Sequence, residues 1–385
     1  MYKKILIGSL VLAHTLILEA KTDIETLNTK IEALTEEMMN MKENALNADT
    51  TQKLHLGGYG KMDYTNYRDS DKVSSLDMYR FILYANYEFS DRVKLISELE
   101  WEHGGRESTG GYAIVEQAYL DIKATNNLSF KIGHVLVPMG HVNLFHEPTA
   151  FNAVNRPEVE KYIIPSTWHE NGIIAHGSII DGVSYQVGVV AGLDAGKDSK
   201  GKGIRSMRQN GQKSKADDFA MVARVDYKGA LGVSIGGSIY SGNADQSNKA
   251  LSGVKTTLSE IHATYNINGL KLRALYAMNK TDNAKKIALL NQTGALGEGS
   301  GFYINTSYDI NEEWTPFIRF EKYNLKEERF DATGTKIASP DDVINTTIGI
   351  NYKPALNVVL KANYVKRDNA GTDDDRVELG MGYSF

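Results

Sequence analysis

The sequence predicts a 16-stranded antiparallel transmembrane β-barrel, preceded by a short α-helical coiled coil. Two observations predict the barrel. Many segments alternate strictly between apolar and polar residues, and the connections between them alternate between short turns and long loops. The last ten residues show the first pattern most clearly, with an apolar side chain at every second position from Val377 to Phe385. A period of two places all of these side chains on one face of a strand.

Composition narrows the possible classes of protein. The chain has 385 residues, a formal net charge of -5 and no cysteine. Disulfides, thiolate metal sites and a cysteine nucleophile are therefore excluded. The charge balance also argues against a generally basic nucleic-acid-binding protein.

Residues 1–20 are typical of a signal peptide. Lys3 and Lys4 precede an apolar run over 5–18, and Ala20 is a small residue suited to a cleavage site. The alternative is an uncleaved N-terminal anchor. No other stretch approaches eighteen apolar residues, so a mature protein that spans a membrane must do so with strands.

A heptad pattern follows at residues 21–48. Apolar residues recur at alternating spacings of three and four, which predicts a coiled-coil helix. The positions are Ile24, Leu27, Ile31, Leu34, Met38 and Met41. The alternative is an amphipathic helix that lies on its own domain. Self-association is favoured, because the rest of the chain contains no second helix to pack against it.

Residues 53–385 contain sixteen candidate strands. Short connections such as 90–92 and 181–182 alternate with long ones such as 137–170. An even strand number with short turns on one side and long loops on the other is typical of outer-membrane barrels, whereas a soluble sandwich has no reason to keep this asymmetry. Charges also recur in mid-strand opposite the apolar face. In a membrane they must face a watery lumen, because a charge on the lipid side costs about 2–4 kcal/mol.

Three further expectations concern the barrel. The final strand should close it by pairing with the strand that begins near Lys53. The terminal Phe385 resembles the assembly signal of outer-membrane barrels. Pro316 lies within a strand and is expected near the turn-side rim or at a bulge, because proline cannot complete a ladder.

The loop 137–170 is the expected constriction of the pore. It holds Pro138, Pro148, Pro157 and Pro165, four of the seven prolines in the chain, together with several charges. Prolines reduce the number of unfolded conformations and favour a fixed shape, so the loop can fold into the barrel. The alternative is an external loop that packs on its neighbours.

Other chemistry finds little support. Residues 192–198 resemble a phosphate loop, but they are one residue short and lack the Ser/Thr. The acid pair Glu98 and Glu100 is more simply a pair of lumen charges than a catalytic pair. The histidines lack metal-ligand spacing, so neither a metal nor a cofactor is expected. The Lys and Arg residues of 197–215 are expected to form an exposed basic loop.

Several motifs resemble the phosphate-selective porin O/P family. They are Lys131-Ile-Gly-His-Val-Leu-Val-Pro-Met-Gly140, Asn143-Leu-Phe, Asn155-Arg-Pro157, Pro165-Ser-Thr-Trp-His-Glu-Asn-Gly172 and Val115-Glu-Gln-Ala-Tyr-Leu-Asp121. With its N-terminal coiled coil the chain is similar to the DcaP-like branch. The resemblance implies a trimer with loop three folded into each pore, a periplasmic coiled coil, and diffusion of small anionic solutes such as phosphate or dicarboxylates.

These inferences lead to a passive outer-membrane porin as the principal hypothesis. The lumen charges are nearly balanced in sign, which weakens the expectation of phosphate specificity. The residues expected to attract anions are Arg156, Lys161, Lys131, Arg273 and Arg319, and the opposing acids are Glu98, Glu100, Glu158 and Glu160. A barrel that acts mainly as a structural anchor or adhesion protein is the alternative. A barrel hydrolase would need a nucleophile–base pair, and the sequence offers none.

Overall fold

The computed structural model describes residues 53–68, 71–105, 108, 110–229, 232–369 and 372–385. The expected signal peptide at 1–20 and coiled coil at 21–48 lie outside these residues. Residues Leu54–Phe385 form one compact unit. Within the described residues, no helix is long and apolar enough to cross a bilayer.

The unit is built almost entirely from strands. Sixteen of them form the wall: β1 (Leu54–Tyr67), β2 (Ser75–Ser90), β3 (Val93–Glu102), β4 (Tyr112–Lys123), β5 (Ser129–Leu136), β6 (His169–Ile180), β7 (Val183–Ala191), β8 (Phe219–Lys228), β9 (Val233–Asn243), β10 (Lys255–Ile267), β11 (Leu270–Asp282), β12 (Ala295–Tyr308), β13 (Trp314–Phe330), β15 (Val343–Ala355), β16 (Val358–Asn369) and β18 (Arg376–Ser384). Two further strands of two residues, β14 (Lys336–Ile337) and β17 (Thr372–Asp373), lie in loops. The helices are short and also lie in loops, at His103–Gly105, Val159–Ile163, Ala195–Lys197, Ile204–Met207, Lys249–Leu251 and Lys285–Asn291.

The wall is a closed antiparallel barrel. Each wall strand pairs with its neighbours in sequence, and β1 pairs with β18 from Tyr59↔Ser384 to Tyr67↔Arg376. Beyond that register, the amide and carbonyl of Gly58 exchange two backbone hydrogen bonds of 2.9 Å with Phe385. The predicted 16-stranded barrel and its closure by the last strand are therefore confirmed.

Strand β13 shows how the alternating sequence separates the two faces of the wall. Arg319 and Glu321 are only 4% and 1% exposed, and they face inward. Ile318 and Phe320 are 46% and 38% exposed and face outward. The apolar residues thus cover the outside and the charges line the inside, as expected for a barrel with lipid around it and water within.

The connections differ between the two ends of the barrel. Turns such as 181–182 and 268–269 contain two residues, whereas the connection between β5 and β6 spans 137–168. In the turn between β10 and β11, Asn268 and Gly269 both have positive φ, 47° and 83°, which matches the twist of a two-residue hairpin. Pro316 lies near the turn-side rim, where it pairs with Ile350 of β15, while the pairing with β12 starts at the next residue.

An apolar core fills the loop side of the barrel interior. Val137, Met139 and Ile163 from the connection 137–168, hereafter loop 3, are fully buried there. The ring of Trp168 packs against the inward ring of Tyr240, with 4.7 Å between centroids. Burying these side chains removes apolar area from water at about 25 cal/mol per Å2, so the core holds loop 3 inside the barrel.

Candidate functional site

Loop 3 crosses the interior and is held by cations of the opposite wall. Lys361 Nζ donates to the carbonyls of Phe151 and Ala153 at 2.5 and 3.0 Å. Arg319 Nη1 donates to the carbonyl of Asn155 at 3.0 Å. Because hydrogen bonds from charged donors are about twice as strong as neutral ones, these contacts fix the path of the loop.

Arg224 and Arg273 make the same kind of contact with earlier residues of loop 3. Arg224 Nη1 donates to the carbonyl of Gly140 at 2.6 Å, and both Nη atoms of Arg273 lie 3.3 Å from the carbonyl of Ala150. Several wall cations are therefore occupied by the backbone of the loop.

Glu158 anchors the far end of loop 3. Its carboxylate forms ion pairs with Arg367 and, at 3.5 Å, with Arg376, and it accepts a hydrogen bond of 2.6 Å from the hydroxyl of Tyr323. The carboxylate of Glu321 in turn accepts the backbone N–H of Glu158 at 2.6 Å. This segment of the loop is thus bound to β13, β16 and β18 together.

Acidification is expected to loosen this anchor. Burial raises the pKa of Glu158, but Arg367 and then Arg376 outweigh it and lower the pKa from 4.5 to about 2. A depressed folded-state pKa means that the contribution to stability, on the order of 3 kcal/mol, is complete above about pH 4.5 and is lost as the pH falls towards 2. We expect open-channel current fluctuations of reconstituted protein to increase below pH 4.5.

The matched control is Glu158→Gln, which removes the charge at every pH. It should show the larger fluctuations already at pH 6 and change little on acidification. Quiet wild-type channels at pH 3 would contradict the expectation.

Among the described residues, a cavity lies in the barrel on each side of loop 3. The larger has a volume of about 640 Å3 and lies on the long-loop side, where Asn155 and Arg156 form part of its wall. The smaller, of about 240 Å3, lies on the turn side against residues 149–152. The charged groups of the smaller cavity are Lys271, Arg273 and Lys353, and its wall includes no carboxylate among the described residues.

The larger cavity is also predominantly basic. Its cationic residues are Lys61, Lys72, Arg156, Lys161, Arg205, Arg208, Arg367 and Arg376, and its acidic residues are Glu100, Glu102, Glu158, Asp374 and Glu378. Eight cations against five acids give a formal excess of three positive charges.

Four of these cations, Arg156, Lys161, Arg205 and Arg208, form the basic cluster. Across the described residues, no carboxylate oxygen lies within 4.0 Å of any of them. Their hydrogen bonds go to hydroxyl and carbonyl oxygens instead. Arg156 Nη1 donates to Ser166 Oγ at 3.0 Å, and Arg208 donates to the carbonyl of Thr167 at 2.8 Å and to that of Arg205 at 2.9 Å. The cluster therefore keeps its positive charge unneutralised.

The arginines of the cluster also repel one another. Burial and then the neighbouring Arg205 lower the pKa of Arg208 to about 9. Burial and then Arg156 lower the pKa of Arg205. A bound anion would relieve this repulsion, because an opposite charge within about 4–6 Å favours the charged form.

The sequence is similar to a known porin family over more than half of its length. The family described as "Putative beta-barrel porin-2, OmpL-like" (BBP2) matches residues 168–380. The chain belongs to this porin family. An uncharacterized protein of Aquifex aeolicus (strain VF5) is 33% identical over 344 residues, which cover 84% of this chain and 77% of that protein.

Solved porins share the fold of this porin. Salmonella typhi OmpF in complex with daunomycin has a TM-score of 0.62 at 14% identity, and covers 86% of this chain and 97% of its own. The channel DcaP of Acinetobacter baumannii has a TM-score of 0.58 at 16% identity, with coverage of 86% and 97%. The anion-selective porin from Comamonas acidovorans has a TM-score of 0.57 at 14% identity, with coverage of 86% and 99%. The expectation of an outer-membrane porin is confirmed at the level of a porin family.

The residues predicted to set selectivity lie in several different places in this porin. Arg156, Lys161, Glu158 and Glu100 line the larger cavity. Arg273 lines the smaller cavity.

The other predicted residues contact the wall or loop 3 rather than the larger cavity. Arg319 pairs with Glu321 at 3.2 Å. Lys131 lies over the ring of Tyr119, 5.6 Å from its centroid. Glu98 of β3 and Glu160 of loop 3 itself are buried, at 2% and 0% exposure.

Sequence reasoning missed Arg205 and Arg208. The whole basic stretch 197–215 was expected to be exposed, and this expectation is wrong for these two residues. Lys197, Lys200 and Lys213 are indeed exposed. Ile204 and Met207, however, are 4% and 0% exposed and pack into the core, which turns the neighbouring arginines towards the cavity. The sequence feature that could have indicated this burial is a pair of apolar residues, three positions apart, within an otherwise basic loop.

Proposed function

We propose that this porin conducts small anions passively, with phosphate-like or dicarboxylate-like dianions as its preferred solutes. The observation that supports the proposal is the basic cluster. It places four cations without carboxylate partners on one wall of the larger cavity, beside the constricting loop. A solute that passes loop 3 therefore meets uncompensated positive charge.

A few uncompensated charges are enough to make a narrow pore selective for anions. Field lines are focused in a narrow cleft with low-dielectric walls, and this raises the local concentration of counter-ions. A net sign is needed only where the path is narrow. Both cavities beside loop 3 carry net positive charge, whereas most of the remaining lumen charges are paired with one another.

The chemistry of the cluster favours oxyanions over halides. Three of its four members are arginines, whose planar fork binds carboxylate and phosphate with two parallel hydrogen bonds. The proposed solute class agrees with the resemblance to DcaP-like members of the phosphate-selective porin O/P family. That resemblance also supports a homotrimer whose coiled coil lies in the periplasm, and we include both in the proposal.

The test is the reversal potential of single channels in a planar bilayer under a tenfold KCl gradient. The sign of the reversal potential should show a preference for chloride over potassium. Millimolar succinate or phosphate should reduce the chloride current. An equal concentration of a bulky organic cation should not. Cation selectivity of the wild-type protein would overturn the proposal, and a protein without channel activity would favour the structural-anchor alternative.

A further inference from the structure

Four buried carboxylates lie close together on the inner face of β3 and β4. Glu98, Glu100, Glu102 and Glu116 are 2%, 2%, 8% and 0% exposed. Among the described residues, Arg80 is the one lysine or arginine that forms ion pairs with them, to Glu100 at 2.9 Å and to Glu102 at 2.6 Å. Burying a carboxylate without a compensating cation costs several kcal/mol, so Glu98 and Glu116 call for a further positive charge.

A β-bulge aims Glu116 into this group. Glu98 pairs with Gln117 and Leu99 pairs with Val115, so that Glu116 is the extra residue on β4. Bulges re-aim side chains in this way. Both carboxylate oxygens of Glu116 are buried and have no hydrogen-bond partner.

His146 of loop 3 completes the group. Its Nδ1 lies 3.1 Å from the carbonyl of Asn143 and donates to it, since a carbonyl oxygen can only accept. In the neutral ring, the lone pair of Nε2 then faces two carboxylates, with Glu98 Oε1 at 3.5 Å and Glu116 Oε1 at 3.4 Å. Nε2 has no hydrogen-bond partner. A lone pair facing two anions is repulsive unless a proton or a metal ion lies between them, and the two distances are longer than the roughly 2.7–2.9 Å of a charge-assisted hydrogen bond from a protonated ring.

The distances match the edges of a coordination polyhedron. One ligand atom from each of Glu98, Glu116 and His146 lies within 4.8 Å of the others. Metal–ligand bonds of about 2.1 Å at tetrahedral angles separate the ligand atoms by about 3.4 Å. A histidine whose Nδ1–H donates to a backbone carbonyl, leaving Nε2 for the metal, is the usual outer-shell arrangement. Gln117 Nε2 similarly donates to the second oxygen of Glu98 at 2.5 Å.

We propose that Glu98, Glu116 and His146 bind a divalent transition-metal ion of the Zn2+ class. Imidazole nitrogen favours Zn2+, Cu2+, Fe2+ or Ni2+ over Ca2+ and Mg2+, which prefer sets of oxygen ligands. The two carboxylates neutralise the ion, which replaces the cation missing from this side of the barrel. The site could not be predicted from the sequence, because its three ligands come from β3, β4 and loop 3 and have no motif spacing.

The metal would bind loop 3 to the barrel wall. His146 lies in the first half of the loop, whereas Lys361 and Arg319 bind its later residues from the opposite side. A metal bond at His146 closes a long chain segment and restricts the loop between Gly140 and Ala150, the two points that Arg224 and Arg273 bind. The inference is independent of the anion preference.

The test measures metal content and spectroscopy of the purified full-length porin in detergent. After treatment with EDTA and dialysis, Zn2+ or Co2+ is added back, and bound metal is counted by mass spectrometry. We expect one ion per chain, a rise in the melting temperature, and visible Co2+ absorption bands typical of a four- or five-coordinate site. Glu116→Gln and His146→Gln should each weaken Zn2+ binding by at least about 100-fold, because loss of an outer-shell partner already costs about 10–100-fold and each of these substitutions removes a direct ligand.

Glu88→Gln is the matched control, since Glu88 is an exposed acid on neighbouring β2 that pairs with Lys94. It should bind metal like the wild type. Heat-modifiable migration in gels verifies that every variant is a folded barrel. Because His146→Gln and Glu116→Gln remove different ligands, the test still holds if only one of these two variants folds. A folded wild-type protein that retains no metal, or equal retention in the wild type and Glu116→Gln, would overturn the proposal.

Discussion

Replacing Arg156, Arg205 and Arg208 together by glutamine is expected to abolish the anion preference of the channel. The larger cavity carries a formal excess of three positive charges, and the triple variant removes all of it. Counter-ion enrichment in a narrow cleft depends on that net charge. The permeability ratio of chloride to potassium should therefore fall to about one, and block by succinate or phosphate should disappear.

Glutamine is chosen because its amide can still donate to the carbonyls of residues 165–167, which Arg205 and Arg208 contact. The matched control replaces Lys197, Lys200 and Lys213 of the same loop, which are exposed and outside the lining of the larger cavity. The control changes the net charge of the protein by the same amount. Equal loss of selectivity in both variants would mean that total charge, not the basic cluster, sets the preference.

Deleting Phe385 is expected to lower the amount of assembled barrel severalfold, while the conductance of each assembled channel stays unchanged. Phe385 makes the last two backbone hydrogen bonds of the closing seam, both with Gly58 at 2.9 Å. Its exposed ring also stacks on Phe81 and Tyr383, with centroids 6.2 and 6.4 Å apart. The residue lies at the turn-side end of the barrel and lines neither of the two cavities beside loop 3. We propose that it is part of the signal for assembly.

Two substitutions separate the backbone from the side chain. Phe385→Ala keeps both hydrogen bonds and removes the ring, whereas Phe385→Trp keeps an aromatic side chain. If the ring is the signal, the alanine variant assembles as poorly as the deletion and the tryptophan variant assembles normally. The amount of heat-modifiable barrel in isolated outer membranes provides the measurement. Normal amounts of the truncated protein would refute the role of Phe385.

The wall of the barrel was predictable because its pattern is local. A strand separates alternate side chains onto opposite faces regardless of its neighbours, so Arg376 and Glu378 could be assigned to the inner face from a ten-residue segment. Turn lengths are local too, and their asymmetry distinguished a barrel from a sandwich and placed both chain ends on the short-turn side. The closing pair of β1 and β18 then follows, because closure leaves no edge strand.

The site was less predictable, because a loop takes its direction from distant contacts. Arg156 and Lys161 were identified from loop 3, but Arg205 and Arg208 reach the same cavity only because Ile204 and Met207 pack into the core. Arg319 is an inward charge as expected, yet its guanidinium is occupied by Glu321 and by the carbonyl of Asn155. Whether an inward charge meets the solute depends on which partner is nearest, and period two carries no information about that.

By itself, the sequence determined that this chain forms a barrel and which side chains face inward on each strand. It also showed that one connection is long and rich in proline. Only the tertiary structure decided where that loop runs, which cations remain unpaired beside it, and that Glu98, Glu116 and His146 meet. The physical reason is the range of the interactions. Strand alternation acts between adjacent residues, whereas ion pairing, loop packing and the bulge at Glu116 depend on groups that are brought together only when the barrel closes.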